Sequence, residues 1–307
     1  MRAISILVIV GPTASGKSAL AVKLAKVRNG EIISADSRQV YKGLDIGSGK
    51  ITKREMMGVR HHLLDVISPR KVFSAHDFVR LGRAAIADIH ARGKLPIVCG
   101  GTGFYIDALL GRAPLPSVER DEKLRQALES KSAEQLFALL RRRDPQRAAQ
   151  MDTDSERNNK VRLIRALEIS SAQPRVISGK SVKNAYAEIT DMGGGTSGES
   201  YVHDLYEIDW IGVDRADTVL RQRIHRRLLD RMKGGMVAEA KNLHNKGVSW
   251  RRMEALGLEY RYLSLYLRGH ISKAGMLVEL EKEIWQYARR QRTWWRRNKN
   301  IAWTILK

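Results

Sequence analysis

Apolar and polar positions alternate along this chain in blocks that read as strands and helices in turn. The apolar run Ile4–Val10 predicts a buried strand, and the segment Ala19–Val27 behind it reads as a helix. In that helix Leu20, Leu24 and Val27 recur at i, i+4 and i+7, which predicts one face packed on a sheet. A second short strand is expected over Glu31–Asp36, around Ile32 and Ile33, and another over Leu95–Cys99. Between them Phe73–Phe78 leads into a helix reaching Ile89. Strands alternating with helices predict an α/β fold built on a parallel sheet with helices on both faces.

The pattern changes at Pro114-Leu115-Pro116. From there to Gly198 the chain reads as helical and dense in Arg, Lys and Glu, with Gly193–Gly198 as a flexible link. Tyr201–Val213 then resembles one more strand, and Ala216–Lys246 and Gly275–Asn298 resemble long helices. The expected organisation is a core from residues 1–112 and 201–307, interrupted by an all-helical insertion over 113–200.

Candidate chemistry starts between the first strand and its helix. Gly11-Pro12-Thr13-Ala14-Ser15-Gly16-Lys17-Ser18 has the G-x4-G-K-[ST] spacing in the strand–loop–helix context that this motif needs. Such a loop turns successive backbone N–H groups inward at a helix N-terminus and so favours phosphate oxygens. Lys17 would reach the outer phosphate, and the Ser18 hydroxyl would help hold Mg²⁺. The loop implies a di- or triphosphate without saying which.

Two further segments end strands on the same sheet edge, where ligands of parallel α/β sheets bind. Asp36 could ligate Mg²⁺, act as a general base, or merely cap a turn before Tyr41. Ser37, Arg38 and Gln39 crowd behind it. Gly100-Gly101-Thr102-Gly103 offers close backbone approach and one hydroxyl, or a tight strand-to-helix turn.

Charge narrows the partner. Lys and Arg number 55 against 33 Asp and Glu, a net +22, which suits a polyanion through phosphate neutralisation and counterion release. Arg162 and Arg165 share a helical face, and Arg223, Arg227 and Arg231 form a stripe at i, i+4 and i+8. Either could be a solvated surface, or one arginine could clamp phosphates. The last helix carries Arg289, Arg290, Arg292, Arg296, Arg297 and Lys299 around Trp294 and Trp295. Cations with an exposed aromatic suit looped RNA, although one of the two tryptophans is expected to complete the buried stripe. The single cysteine, Cys99, excludes internal disulfides, and adjacent His61 and His62 lack the spacing of metal ligands. No 18-residue apolar run marks a membrane span, and a cytoplasmic location is expected.

Taken in order, these motifs resemble the tRNA dimethylallyltransferases, also called tRNA isopentenyltransferases. The resemblance is carried by residues 11–18, Asp36–Tyr41, Asp45–Gly47, His61–Asp65, Phe73–Phe78, Gly100–Tyr105, Arg162–Glu168, Arg223 with Arg227, Glu254–Gly257 and Arg290–Trp294. It implies transfer of a dimethylallyl group from dimethylallyl diphosphate to the N6 amine of the adenine 3′-adjacent to the anticodon, in tRNAs reading codons that begin with U. By resemblance, Gly11–Ser18 grips the donor diphosphate with Mg²⁺. Asp36 accepts the amine proton, Thr102 sits beside the adenine, and Arg223 steadies the departing diphosphate. The same resemblance places Asp36–Gln39, Thr102, Arg125, Val161, Arg162, Leu163, Ile164 and Arg165 against the tRNA anticodon stem-loop. A monomer acting away from membranes is expected. A P-loop small-molecule kinase would explain the loop and Asp36 but not the charge. An RNA-binding NTPase would leave Asp36 and Thr102 without a purpose.

Overall fold

The computed structural model describes residues 3–113, 115–116, 118–172 and 205–306. The chain divides into two compact units, one from Met1–Pro114 with Ser197–Lys307 and one from Leu115–Thr196. The first unit contains β1 (Ile4–Val10), α1 (Lys17–Val27), β2 (Gly30–Ala35), α2 (Lys53–Met56), β3 (His61–His62), α3 (Ala75–Ala91), β4 (Leu95–Gly100) and α4 (Gly103–Leu109). The second contains α5 (Glu122–Glu129), α6 (Ala133–Arg143), α7 (Pro145–Gln150), α8 (Asp154–Arg157) and α9 (Lys160–Ala172). The first resumes with β5 (Tyr206–Asp214), α10 (Asp217–Lys233), α11 (Met236–Asn245), α12 (Trp250–Ala255), α13 (Leu258–Leu267), α14 (Lys273–Trp295) and β6 (Ala302–Ile305).

Among the described residues its six strands form one sheet in the order β3-β2-β4-β1-β5-β6, and every pairing is parallel. Strand β1 is central and buried on both sides from Ile6 to Val10, which is why it reads as a nearly continuous apolar run. Ile6, Val8 and Val10 enter a core shared with α3, α10 and α14, while Leu7 and Ile9 enter a second core with α1. This is the expected α/β sheet with helices on both faces.

Several boundaries differ from the sequence pattern for identifiable reasons. Helix α1 buries Ala21, Val22 and Ala25, small side chains that let it lie close to the sheet. Leu20 and Leu24 flank that contact, and Val27 stands 77% exposed instead of completing the stripe. The long helix expected over Ala216–Lys246 is two helices, because Gly235 takes φ +97° at the break. Strand β6 was not expected. It is a short strand exposed along its length that adds to the edge of the sheet beside β5. Residues 173–204, including the glycine-rich link at 193–198 and the first part of the strand expected from Tyr201, lie outside the described residues.

Glu31, at 2% exposure, is the principal buried charge of the sheet. Arg92 meets it through both terminal nitrogens, and Lys94 and His62 Nε2 donate to it at 2.9 and 2.8 Å. The Arg92 guanidinium, helped by Lys94 and His62, holds the Glu31 carboxyl well below the usual carboxylate range against the opposing effect of burial. His62 is thereby a structural partner, and His61 Nδ1 donates to the Val59 carbonyl at 2.9 Å. Glu31→Gln should destabilise the protein by about 3 kcal/mol at neutral pH, as expected when one partner of a buried ion cluster is lost. A depressed carboxyl pKa contributes stability that is complete above the unfolded value of about 4.3 and is lost as pH falls below it. Urea unfolding curves of the two proteins should therefore converge on acidification, and a gap that persists or widens toward pH 3 would contradict this.

The second unit packs Leu128, Leu136, Leu140, Ala148, Leu163, Ile164 and Leu167 into a core of its own. Beside it Glu168, 1% exposed, takes both Nε and Nη2 of Arg125 at 2.5 Å, the Asp121 amide at 3.0 Å and Arg165 at 3.2 Å. That network fastens the start of α5 to α9. Among the described residues no helix is long and apolar enough to cross a membrane.

Candidate active site

Three strand ends of the first unit build one cleft. Thr13, Lys17 and Ser18 line it from β1 and α1, Asp36 and Gln39 from the end of β2, and Cys99 and Gly100 from β4. Ser48, Gly49, His61, Arg227 and Arg231 close its remaining sides. It holds about 610 Å³ of space not filled by atoms, part of it open to solvent.

The phosphate loop departs from β1 at Gly11 and enters α1 through Gly16, a left-handed residue at φ +102° that caps the helix without a side chain. Arginines from the far end of the chain dock on its outside. Arg223 Nε donates to the Ala14 carbonyl at 2.8 Å, and Arg215 Nε donates to the Ser15 carbonyl at 2.9 Å. Loss of water, with Arg215 and Arg226 close by, lowers the Arg223 pKa. Arg227 is pushed down to about 10, first by desolvation and then by Arg231 and Arg223. It makes no hydrogen bond to a described residue. Lys17 is also pushed below the ordinary lysine value, chiefly by desolvation, and Cys99 and Asp36 pull the other way. Its Nζ donates to the Pro12 carbonyl at 3.2 Å. Cations crowded together in a poorly hydrated cleft are an arrangement that an anionic ligand would relieve.

Asp36 holds an Asx turn and lines the cleft as well. Its Oδ1 accepts from the amides of Arg38 at 2.8 Å and Gln39 at 3.2 Å, whereas Oδ2 has no partner among the described residues. Thr102 lies alongside, its Oγ1 accepting from the Ser37 amide at 3.2 Å and its own amide bonded to the Ala35 carbonyl. Tyr287 from α14 interacts with the Thr102 side chain. Burial, followed by the negative charge of Asp36, pushes the Tyr287 hydroxyl up to about 12. It stays protonated at neutral pH and can act only as a neutral donor or acceptor.

The opposite wall is the Asp45–Gly49 loop. Glu239 holds it by accepting from the amides of Asp45, Ile46 and Gly47 and from the Tyr260 hydroxyl at 2.7 Å. Arg231 Nη1 donates to the Gly47 carbonyl at 3.3 Å.

Thus Gly11–Ser18 and Asp36–Gln39 contribute to the cleft lining, while Thr102 and Arg223 stand beside it, bonded to the Ser37 amide and the Ala14 carbonyl. The remaining candidates belong to the second unit and differ in exposure. Val161 and Arg162 are exposed, with Arg162 paired to Glu156 at 2.6 Å. Leu163 at 0% and Ile164 at 7% exposure are interior side chains, so any surface contact there falls to their neighbours. Arg125 and Arg165 are committed to Glu168.

The C-terminal basic helix also needs correcting. Trp295 is 1% exposed and completes the buried stripe. Trp294 is not a free platform either, since its indole N–H donates to Asp107 Oδ2 at 2.8 Å. Arg292 is interior and donates to Asp214, Asp217 and the Arg215 carbonyl. The exposed cations of the run are Arg289, Arg290, Arg296, Arg297 and Lys299. The second glycine motif changes its meaning too. A Cβ on Gly103 would lie 2.3 Å from the Trp294 ring and one on Gly101 2.1 Å from Gln291 Nε2. These glycines admit α14, not a ligand. Gln291 and Tyr287 were given no role because both fall within the helical pattern of a long basic segment; the signals available were the place of Gln291 within the Arg290–Trp294 stretch that carries the resemblance and a polar group on the core-facing side of the helix.

The family model for IPP transferase matches residues 39–298. The tRNA dimethylallyltransferase 2 of Trichlorobacter lovleyi is 42% identical over 301 residues, covering 98% of this chain and 90% of its own length. The tRNA dimethylallyltransferase of Halalkalibacterium halodurans is 38% identical over 300 residues, covering 96% and 89%. Among solved structures, the tRNA isopentenylpyrophosphate transferase of Bacillus halodurans aligns with TM-score 0.68 and 35% identity over 98% of this chain and 89% of that one. A eukaryotic dimethylallyltransferase described as acting on tRNA aligns with TM-score 0.76 and 25% identity over 99% and 74%. The matched region runs through the Asp45 loop, Thr102, Arg223 and Gln291, and the alignments with relatives extend it over nearly the whole chain: this protein belongs to the IPP transferase family.

Proposed function

We propose that this protein transfers the dimethylallyl group of dimethylallyl diphosphate to the exocyclic N6 amine of the adenine 3′-adjacent to the anticodon, in tRNAs reading codons that begin with U. The observation that carries the reading is the convergence on one cleft of a phosphate loop, Arg227 and Arg231, and a carboxylate oxygen without a partner among the described residues, with Arg223 bonded to the loop from beside it, in a chain of this family. The amine nitrogen forms a bond to C1 of the prenyl group as the C1–O bond breaks, and that electron pair leaves on the diphosphate. The N6 proton passes to Asp36 Oδ2. Lys17 and Arg223 take up the charge that accumulates on the leaving group, and Thr102 orients the adenine edge. An exocyclic amine is a weak nucleophile, so both a positioned base and an activated leaving group are required. To reach the cleft, the target base must leave the anticodon stack.

Mg²⁺ fits the residues present. Among the described residues no group of three or more His, Cys, Asp or Glu forms a metal cage. The cleft instead offers the Ser18 hydroxyl and the Asp36 carboxylate, with the buried Ser15 hydroxyl unpartnered in the same loop. Mg²⁺ is commonly held by one or two protein oxygens together with substrate phosphates and water. When bound, it would neutralise diphosphate charge and ease departure of the leaving group.

The net +22 supports tRNA as the acceptor, and the exposed Val161–Arg162 edge of the inserted unit and the Asp36–Gln39 segment are the proposed contacts. The protein acts as a monomer in the cytoplasm. A kinase reading requires ATP as the donor. Inorganic pyrophosphate should therefore displace dimethylallyl diphosphate from the protein while ATP at the same concentration does not. Mass spectrometry of tRNA from cells lacking this protein should show loss of isopentenyladenosine. An unchanged nucleoside profile would overturn the proposal.

A further inference from the structure

We propose that Gln291 is a positioning residue that sets the distance between the two halves of the active site, the diphosphate loop and the strand end carrying Thr102. The inference rests on the prenyl-transfer reading and adds to it a residue outside the reacting groups. Gln291 is 6% exposed. Its Oε1 accepts from the Thr13 amide at 2.7 Å, and its Nε2 donates to the Gly101 carbonyl at 3.0 Å. The first contact lies inside the loop that grips the leaving group, and the second is one residue from Thr102. A single planar carboxamide thus ties the two loops across a fixed span, and both bonds are needed to hold it.

The chemistry of the two contacts specifies glutamine. A backbone N–H must donate and a backbone C=O must accept, so the tie requires an acceptor and a donor on one short rigid group. Gly101 leaves room for it, since a Cβ there would stand 2.1 Å from Nε2. The helix carrying Gln291 is itself fastened on both sides of this contact. Arg292 donates to Asp214, Asp217 and the Arg215 carbonyl, and Trp294 donates to Asp107. The same turn of α14 therefore anchors the loop of the donor, the strand end of the acceptor and the start of the helix that bears Arg223.

Bond formation between the amine and C1 demands near contact and alignment, and a displacement of 1 Å in such a pair costs on the order of 100-fold in rate. Releasing the tie should therefore act on turnover more than on binding. Glu at this position keeps an acceptor for the Thr13 amide and loses the donor toward Gly101. Met fills similar space and loses both.

The test uses the full-length protein with dimethylallyl diphosphate and a tRNA transcript, together with equilibrium binding of inorganic pyrophosphate and thermal unfolding. For Gln291→Glu, kcat at saturating donor and tRNA should fall about 10- to 100-fold while the KM for tRNA stays within about threefold of wild type, and pyrophosphate should bind more weakly because the carboxylate adds negative charge beside the loop. For Gln291→Met, kcat should fall at least as far and pyrophosphate should bind more weakly. If Gln291→Met does not fold, the Glu variant decides alone. Turnover within about threefold of wild type in a folded variant, or a kcat loss that merely matches the unfolded fraction, overturns the inference. Wild-type protein that binds pyrophosphate but leaves tRNA unmodified overturns the prenyl-transfer reading instead.

Discussion

Asp36→Ala should lower turnover about 100- to 10,000-fold, the range that a positioned general base supplies, while tRNA affinity stays close to wild type. The alanine variant has a second effect, because Oδ1 also accepts from the Arg38 and Gln39 amides and shapes the turn. Asp36→Asn separates the two roles. An asparagine carbonyl keeps the turn's acceptor but cannot take a proton from the amine at neutral pH. Asparagine should therefore be nearly as inactive as alanine, with tRNA binding and thermal stability preserved. Single-turnover prenyl transfer with saturating donor and tRNA is the measurement. If the asparagine variant retains turnover within a few-fold of wild type, Asp36 is a structural turn residue and the base lies elsewhere.

Arg223→Ala should cost about 100- to 1,000-fold in kcat, comparable to removal of one preorganised donor to a developing anion, and should weaken pyrophosphate binding. Two features of the site underlie this expectation. The guanidinium is already docked on the Ala14 carbonyl at 2.8 Å, so little ordering is left to be done when charge builds on the diphosphate. It is also partly desolvated, the main cause of its lowered pKa, and interactions in a drier site are stronger. Arg223→Lys keeps the charge but not the planar fork that can bond loop and ligand together, and should recover only part of the rate. Steady-state kinetics with dimethylallyl diphosphate checks both variants. Full activity in Arg223→Ala would transfer the role to Arg227, which lines the cleft itself.

How much of this was legible beforehand depended on whether the physics was local. Strands β1, β2 and β4 were readable because strands buried on both faces leave nearly continuous apolar runs. The phosphate loop was readable because a tight turn into a helix needs glycines at fixed spacing. Strand β6 was not readable, since an edge strand exposed along its length carries little hydrophobic signal. The inner face of α1 was misjudged because alanine buries as well as leucine where a helix must lie close to a sheet. The site shows the same division. Lys17, Asp36 and Thr102 sit at strand ends, where chain order alone brings them together. Gln291, Tyr287 and Glu239 act through contacts with segments far away in sequence, and no spacing rule announces such partners. The Gly101 and Gly103 positions were visible, but their purpose was not. They looked like room for a ligand and proved to be room for α14.

The position of β1 also bears on how the chain acquires its structure during synthesis. Its residues Ile4–Val10 pair on one side with β4 and on the other with β5, where Ile4 lies opposite Tyr206. Until that distant strand leaves the ribosome, one edge of the central strand has no partner. The helices of the inserted unit have a core drawn from Leu128 to Leu167, and it is complete well before then. Local helical packing forms quickly, whereas pairing between remote strands is slow. The inserted unit should thus be ordered while the catalytic sheet is still half built, its exposed edge waiting on the last third of the message.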